Sequence, residues 1–163
     1  MKNEALFSPL KTALKKGEIT ELTSLNIELR EHGLSLTQGD AEDIVDLRDK
    51  TLKNLGRVEL DMTVSKELIK KLSDSPYITQ DTLVETVADA YDVFHFIKNL
   101  TSDQIPDEDI ISAITVYFNE VCRGSAELLM GKGAECIIKN YKEKKKLDDI
   151  EPRRDEEFWN LDD

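Results

Sequence analysis

Apolar residues recur along this chain at three- and four-residue intervals, and polar breaks divide the pattern into helix-sized blocks. Ser8-Pro9 opens a helix that runs toward Lys16, with Gly17 as its stop. Thr20 is read as the cap of a second helix carrying Leu22, Leu25 and Leu29, ended by Gly33. Thr37, three residues before Asp40, starts a third, whose apolar face is Ile44, Val45, Leu52 and Leu55 and whose end is Gly56. Val58, Leu60 and Met62 alternate with polar residues. A lone strand would have no partner, so this segment reads as an extended linker.

Val64, Leu68, Ile69 and Leu72 mark a short helix that Ser75-Pro76 breaks. Thr79 caps the next, striped by Leu83, Val84, Val87, Tyr91 and Phe94. From residue 90 to 97 it is apolar nearly all round, which predicts the most buried element. Pro106 opens a further helix with Ile110, Ile111, Ile114, Tyr117, Phe118 and Val121 on its core face. Its period continues through Leu128, Leu129, Cys136, Ile137 and Tyr141, with Gly131-Lys132-Gly133 as the place for a break. The prediction is an all-α fold: a compact bundle of about six to seven helices over residues 1–146, followed by a charged tail, 147–163.

Two glycines stand out within this long last helix. A glycine in a helix interior costs about 1 kcal/mol relative to alanine. Gly124 and Gly131 are therefore expected where a second helix packs closely or a small site needs bare backbone, which makes them candidate partner-binding positions.

Charge narrows the field of functions. A net charge of −12 argues against a general nucleic-acid binder, whose phosphate contacts need clustered lysine and arginine. No segment approaches the roughly 18 apolar residues that span a bilayer, and residues 1–5 lack the apolar core of a signal peptide. Two cysteines suggest a reducing compartment, so a cytoplasmic location is expected.

Candidate chemistry is sparse. His95 has Asp92 three residues back and Asn99 four on, the beginning of an acid–base pair without a nucleophile. Cys122 beside Arg123 is a thiol next to a cation, although adjacent helical residues point about 100° apart. Arg123 is better placed for Glu127 or Glu120. On a straight helix Cys122 and Cys136 would lie roughly 21 Å apart, and no spacing completes a metal set. The acids Asp40, Glu42, Asp43, Asp46 and Asp49 read as a solvated face. Arg48 falls on the apolar stripe, where it must either snorkel or pair with a buried acid.

The tail holds eight acids against two arginines, half of the chain's net charge. It also holds Phe158, Trp159 and Leu161, anchors suited either to a partner or to folding back on the body.

Four segments share an order: His32-Gly33-Leu34-Ser35-Leu36-Thr37, then Gly56-Arg57-Val58-Glu59-Leu60, then Ser75-Pro76-Tyr77-Ile78, then Tyr117-Phe118 through Cys122-Arg123-Gly124-Ser125 to Leu128-Leu129. Together they resemble a bacterial family catalogued only as a domain of unknown function. The resemblance covers roughly residues 25 to 130 and implies a bacterial, cytoplasmic, helical protein. It brings no activity, cofactor or catalytic residue.

The sequence therefore favours a non-enzymatic helical module that binds another protein, with no cofactor or metal and with homo-oligomerisation left open. One alternative is a small-molecule-binding or enzymatic bundle with a pocket formed by Asp92, His95, Cys122 and Arg123. Another is an acidic inhibitor that mimics nucleic acid.

Overall fold

The computed structural model describes residues 2–146, with side chains from 9 to 144. Helix α1 spans Lys2–Thr23 and the short α2 Asn26–Leu29, which tightens into a 3-10 turn at Arg30–His32. Then come α3 (Gln38–Leu55), α4 (Thr63–Ser73), α5 (Leu83–Leu100) and α6 (Asp107–Val116). A π turn, Tyr117–Val121, prolongs α6. The short α7 (Ala126–Leu128) leads through a second π turn, Leu129–Gly133, into α8 (Ala134–Lys146). Six of these helices have ten residues or more, and no strand forms among the described residues. The fold is an all-α compact bundle.

Local signals set several boundaries as the sequence implies. Thr37 and Asp40 form a full capping box, the Thr37 hydroxyl accepting from Asp40 N at 3.0 Å and the Asp40 carboxylate accepting from Thr37 N at 2.9 Å. Gly33 and Gly56 end their helices in the left-handed region, at φ 73° and 64°. The 57–61 segment is irregular, bends at residues 60–61 and joins α3 to α4 as a linker.

Three expectations are corrected. First, α1 is one helix that runs through both Pro9 and Gly17. Thr20 does not cap; its hydroxyl donates back to the Lys16 carbonyl at 2.9 Å. Tertiary contacts offset the breakers, since Lys15 pairs with Asp46 at 2.7 Å and with Glu42 at 3.5 Å, tying α1 to α3. Second, α5 begins at Leu83 because Thr79 is absorbed in a turn, where its N–H donates to the Thr82 hydroxyl at 3.1 Å.

Third, the long C-terminal helix does not exist as one piece. The chain turns at residues 122–125, with Arg123 at φ 50° and Gly124 at φ 86°. Gly124 N donates to the Phe118 carbonyl at 2.8 Å, and the Ser125 hydroxyl caps the next helix by accepting from Leu128 N at 3.2 Å. Gly-Ser is thus a helix stop followed by a helix start. Beyond, the chain stays helical through residues 131–133 as the π turn.

Helix α5 is the centre of the bundle and packs against α3, α4, α6 and α8. Leu83, Val87, Ala90, Tyr91, Val93, Phe94 and Ile97 are all buried, as an all-round apolar helix should be. Its few uncovered positions define the surface that matters below.

Candidate functional site

The two glycines singled out by sequence have unlike surroundings. A Cβ on Gly124 would stand 2.5 Å from the Tyr77 Cβ, so the position requires glycine for both its conformation and its packing. Gly131 has nothing within 4 Å of a Cβ, so no close approach explains it. The tightly packed glycine of that turn is Gly133, where a Cβ would stand 3.4 Å from Cys122 Sγ and 3.3 Å from a Leu129 methyl. Both tight glycines pack against side chains of this protein, Gly133 in the core and Gly124 at its edge. The other expected partner-binding residues, Phe158, Trp159 and Leu161, lie outside the described residues.

The four expected pocket residues disperse. Asp92 accepts a short hydrogen bond from the Thr51 hydroxyl on α3. Asn99 accepts from Arg57 at 2.6 Å. His95, buried, faces Glu59 instead, with Nε2 3.1 Å from Oε2. The turn at 122–125 brings Cys122 beside Cys136, and burial together with that neighbour pushes the Cys122 thiol up to about 11. Such a thiol is protonated and inert at neutral pH. Arg123 is exposed and makes no ion pair with Glu120 or Glu127.

What the structure does assemble is a buried polar cluster around Arg48, which is 4% exposed. Arg48 comes from the middle of α3, Glu18 from α1, Tyr91 and His95 from successive turns of α5, and Glu59 from the 57–61 segment. Arg48 Nε donates to Glu59 Oε1 at 3.1 Å, and Nη1 donates to Glu18 at 2.9 Å and to Asp49 at 3.2 Å. Nη2 donates to the backbone carbonyls of Glu59 and Asp61, at 3.3 and 3.0 Å. Tyr91 OH donates a short bond to the same Glu59 oxygen.

Burial disfavours the Glu59 charge. The hydrogen bonds from His95 and Tyr91 and the adjacent Arg48 outweigh burial, and its pKa falls below the ordinary glutamate value. Glu18 goes the other way: burial and nearby Asp49 outweigh its single bond from Arg48, and its pKa rises. Tyr91 is pushed well above its ordinary value, first by burial and then by the carboxylate it bonds.

This cluster is buried at Arg48 and His95 and reaches solvent at Glu18 and Asp49. Of its buried side-chain polar atoms, His95 Nδ1 is the one without a hydrogen-bond partner among the described residues. Its geometry fastens the 57–61 segment to three helices. Arg57 helps from outside, donating to Asp103 at 2.5 Å. Sequence reasoning found Arg48 but not Glu59, although an acid between two aliphatic residues in an alternating segment was the available signal.

An open groove lies on the outer side of the α3–α5 pair, and a second, of about 810 Å³, lies between the end of α5 and α8. The first, of about 400 Å³, is lined by Leu47, Lys50, Thr51, Asn54 and Leu55 of α3 and by Ala88, Asp89, Asp92, Val93 and Phe96 of α5, with Met130 at its edge. Leu47, Leu55, Phe96 and Met130 are 37–44% exposed. Asp89, half-buried, makes no hydrogen bond or ion pair among the described residues. Burial raises its pKa, and Glu85 and Asp92 raise it further.

Among the described residues no group of three or more His, Cys, Asp or Glu side chains is placed to hold a metal ion. None of the described helices is long and apolar enough to cross a membrane. No curated protein and no solved structure matches the chain. Residues 21–147, a wider span than the motifs quoted from sequence, match one family, and on that match the chain belongs to a family of unknown function, DUF6323.

Proposed function

We propose that this protein is a non-enzymatic helical interaction module, an adaptor or regulatory subunit, that receives a helix of another protein in the α3–α5 groove. The observation that carries this reading is the alignment of four large apolar side chains, each more than a third exposed, along a groove between two packed helices. Scattered exposed apolar residues are ordinary, whereas a continuous patch marks a binding surface. Helix-in-groove docking uses apolar anchors at three- and four-residue spacing, which such a groove accepts. We place the protein in a bacterial cytoplasm, a reading supported by two buried cysteines that form no disulfide.

A photo-crosslinking amino acid at position 96, with position 27 as an exposed apolar control, tests the reading in the cell. The expected result is one recurrent crosslinked protein at 96, absent at 27, and lost when Leu47→Glu is added. Crosslinks that are equal at both positions, or absent from 96, overturn it.

A further inference from the structure

The groove mixes apolar side chains with polar ones, and its charge is one-sided. Glu85, Asp89, Asp92 and Phe96 follow one another at intervals of four, three and four residues, which places them on a single stripe of α5. Asp92 is engaged by Thr51. Asp89 is not engaged; it stands half out of water with two carboxylates beside it on the same helix. Lys50, across the groove on α3, is the one cation that lines it among the described residues. The groove therefore offers an apolar surface together with an uncompensated negative charge.

We infer that the occupant is a basic amphipathic helix of another protein, which lays its apolar stripe on Leu47, Leu55 and Phe96 and sets a lysine or arginine against Asp89. This rests on the groove reading above and specifies its partner. The stripe from Glu85 to Phe96 is about 16 Å long at 1.5 Å per residue, so an occupant of about three turns spans it. Removing water from a carboxylate among like charges is unfavourable, and an incoming cation offsets that cost as the groove closes. Two other occupants carry the wrong charge. The chain's own tail has apolar anchors at Phe158, Trp159 and Leu161, but they are embedded in Asp155, Glu156, Glu157, Asp162 and Asp163. A second copy of the chain carries a net charge of −12, so its overall approach is repelled.

The test uses the full chain and two labelled helical peptides that share one apolar stripe and contain no tryptophan. One has lysine flanks and the other has glutamate flanks. Fluorescence anisotropy should show the lysine peptide binding roughly tenfold more tightly at low salt, with the gap narrowing as salt rises. Asp89→Asn should weaken the lysine peptide about fivefold and, by removing a like charge, should not weaken the glutamate peptide. Phe96→Glu should abolish binding of both.

Equal affinities, with Asp89→Asn silent and Phe96→Glu still effective, overturn the basic partner and leave the groove reading intact. Binding that survives Phe96→Glu, or no binding of either peptide, overturns both. The single tryptophan, Trp159, reports on the tail. Its emission should not shift when Phe96→Glu is introduced without peptide, and a red shift would put the tail in the groove instead. Dimers lost on Phe96→Glu would put a second copy there. Circular dichroism and thermal unfolding confirm that each variant is folded.

Discussion

The two sides of α5 handle a carboxylate in opposite ways. On the inner side Glu59 is wrapped by Arg48, Tyr91 and His95, so that its charge is held although it is withdrawn from water. On the outer side Asp89 is only half withdrawn and has no compensating group among the described residues, so its charge is carried at a cost. The difference separates structure from availability: a satisfied buried charge is part of the fold, and an unsatisfied one beside an apolar groove is open to a partner. It also shows why a lowered and a raised carboxylate pKa on the two sides of one helix mean different things.

The largest test of that contrast is Arg48→Met. It leaves Glu18 and Glu59 without their shared cation, and a loss of about 3–5 kcal/mol in urea unfolding is expected. A loss below about 1 kcal/mol would mean that the inner cluster is not the fastening described. Tyr91→Phe removes one hydrogen bond to the charged Glu59 and should cost about 1.5–3 kcal/mol by the same measurement.

Acid titration separates the two sides by sign. Glu59 titrates lower in the folded protein than in the unfolded chain. Its stabilising contribution is present above the unfolded glutamate pKa, about 4.3, and is lost as pH falls through the lower folded value. Glu59→Gln should therefore be less stable than the parent at neutral pH and converge on it under acid. Asp89 titrates higher in the folded protein. Its unfavourable contribution is full above that folded pKa and is relieved as pH falls through it.

Asp89→Asn, the smallest effect, should be neutral or slightly stabilising at neutral pH, by no more than about 0.5 kcal/mol, and equal to the parent under acid. Urea midpoints between neutral and acid pH measure both variants. A clear loss of stability in Asp89→Asn would erase the distinction between the two sides.

Much of the fold was legible because its signals are local. The capping box at Thr37 and Asp40 and the stops at Gly33 and Gly56 lie within a few residues of the ends they set. Gly17 was misread because the interactions that carry α1 through it, Lys15 with Asp46 and Glu18 with Arg48, come from thirty residues away. The turn at Gly124-Ser125 was legible in principle, but an apolar period that resumes after it looks like one helix. The cluster was half legible: Arg48 on an apolar stripe requires an acid, but which acids answer depends on how α1 and the 57–61 segment fold back. The groove was not legible. The exposed side of an otherwise buried helix is decided by what fails to cover it, and periodicity does not record that.

The 57–61 segment has one more consequence. It is fastened through Arg48, Arg57 and the inward carboxylate of Glu59, while the N–H groups of Val58, Glu59 and Leu60 make no hydrogen bond among the described residues. Val58 and Leu60 point out, 84% and 97% exposed. Positional order and amide protection are thus separated here. In hydrogen–deuterium exchange these three amides should label almost as fast as in an unfolded peptide, while the amides of α5 beneath them label only when the bundle opens.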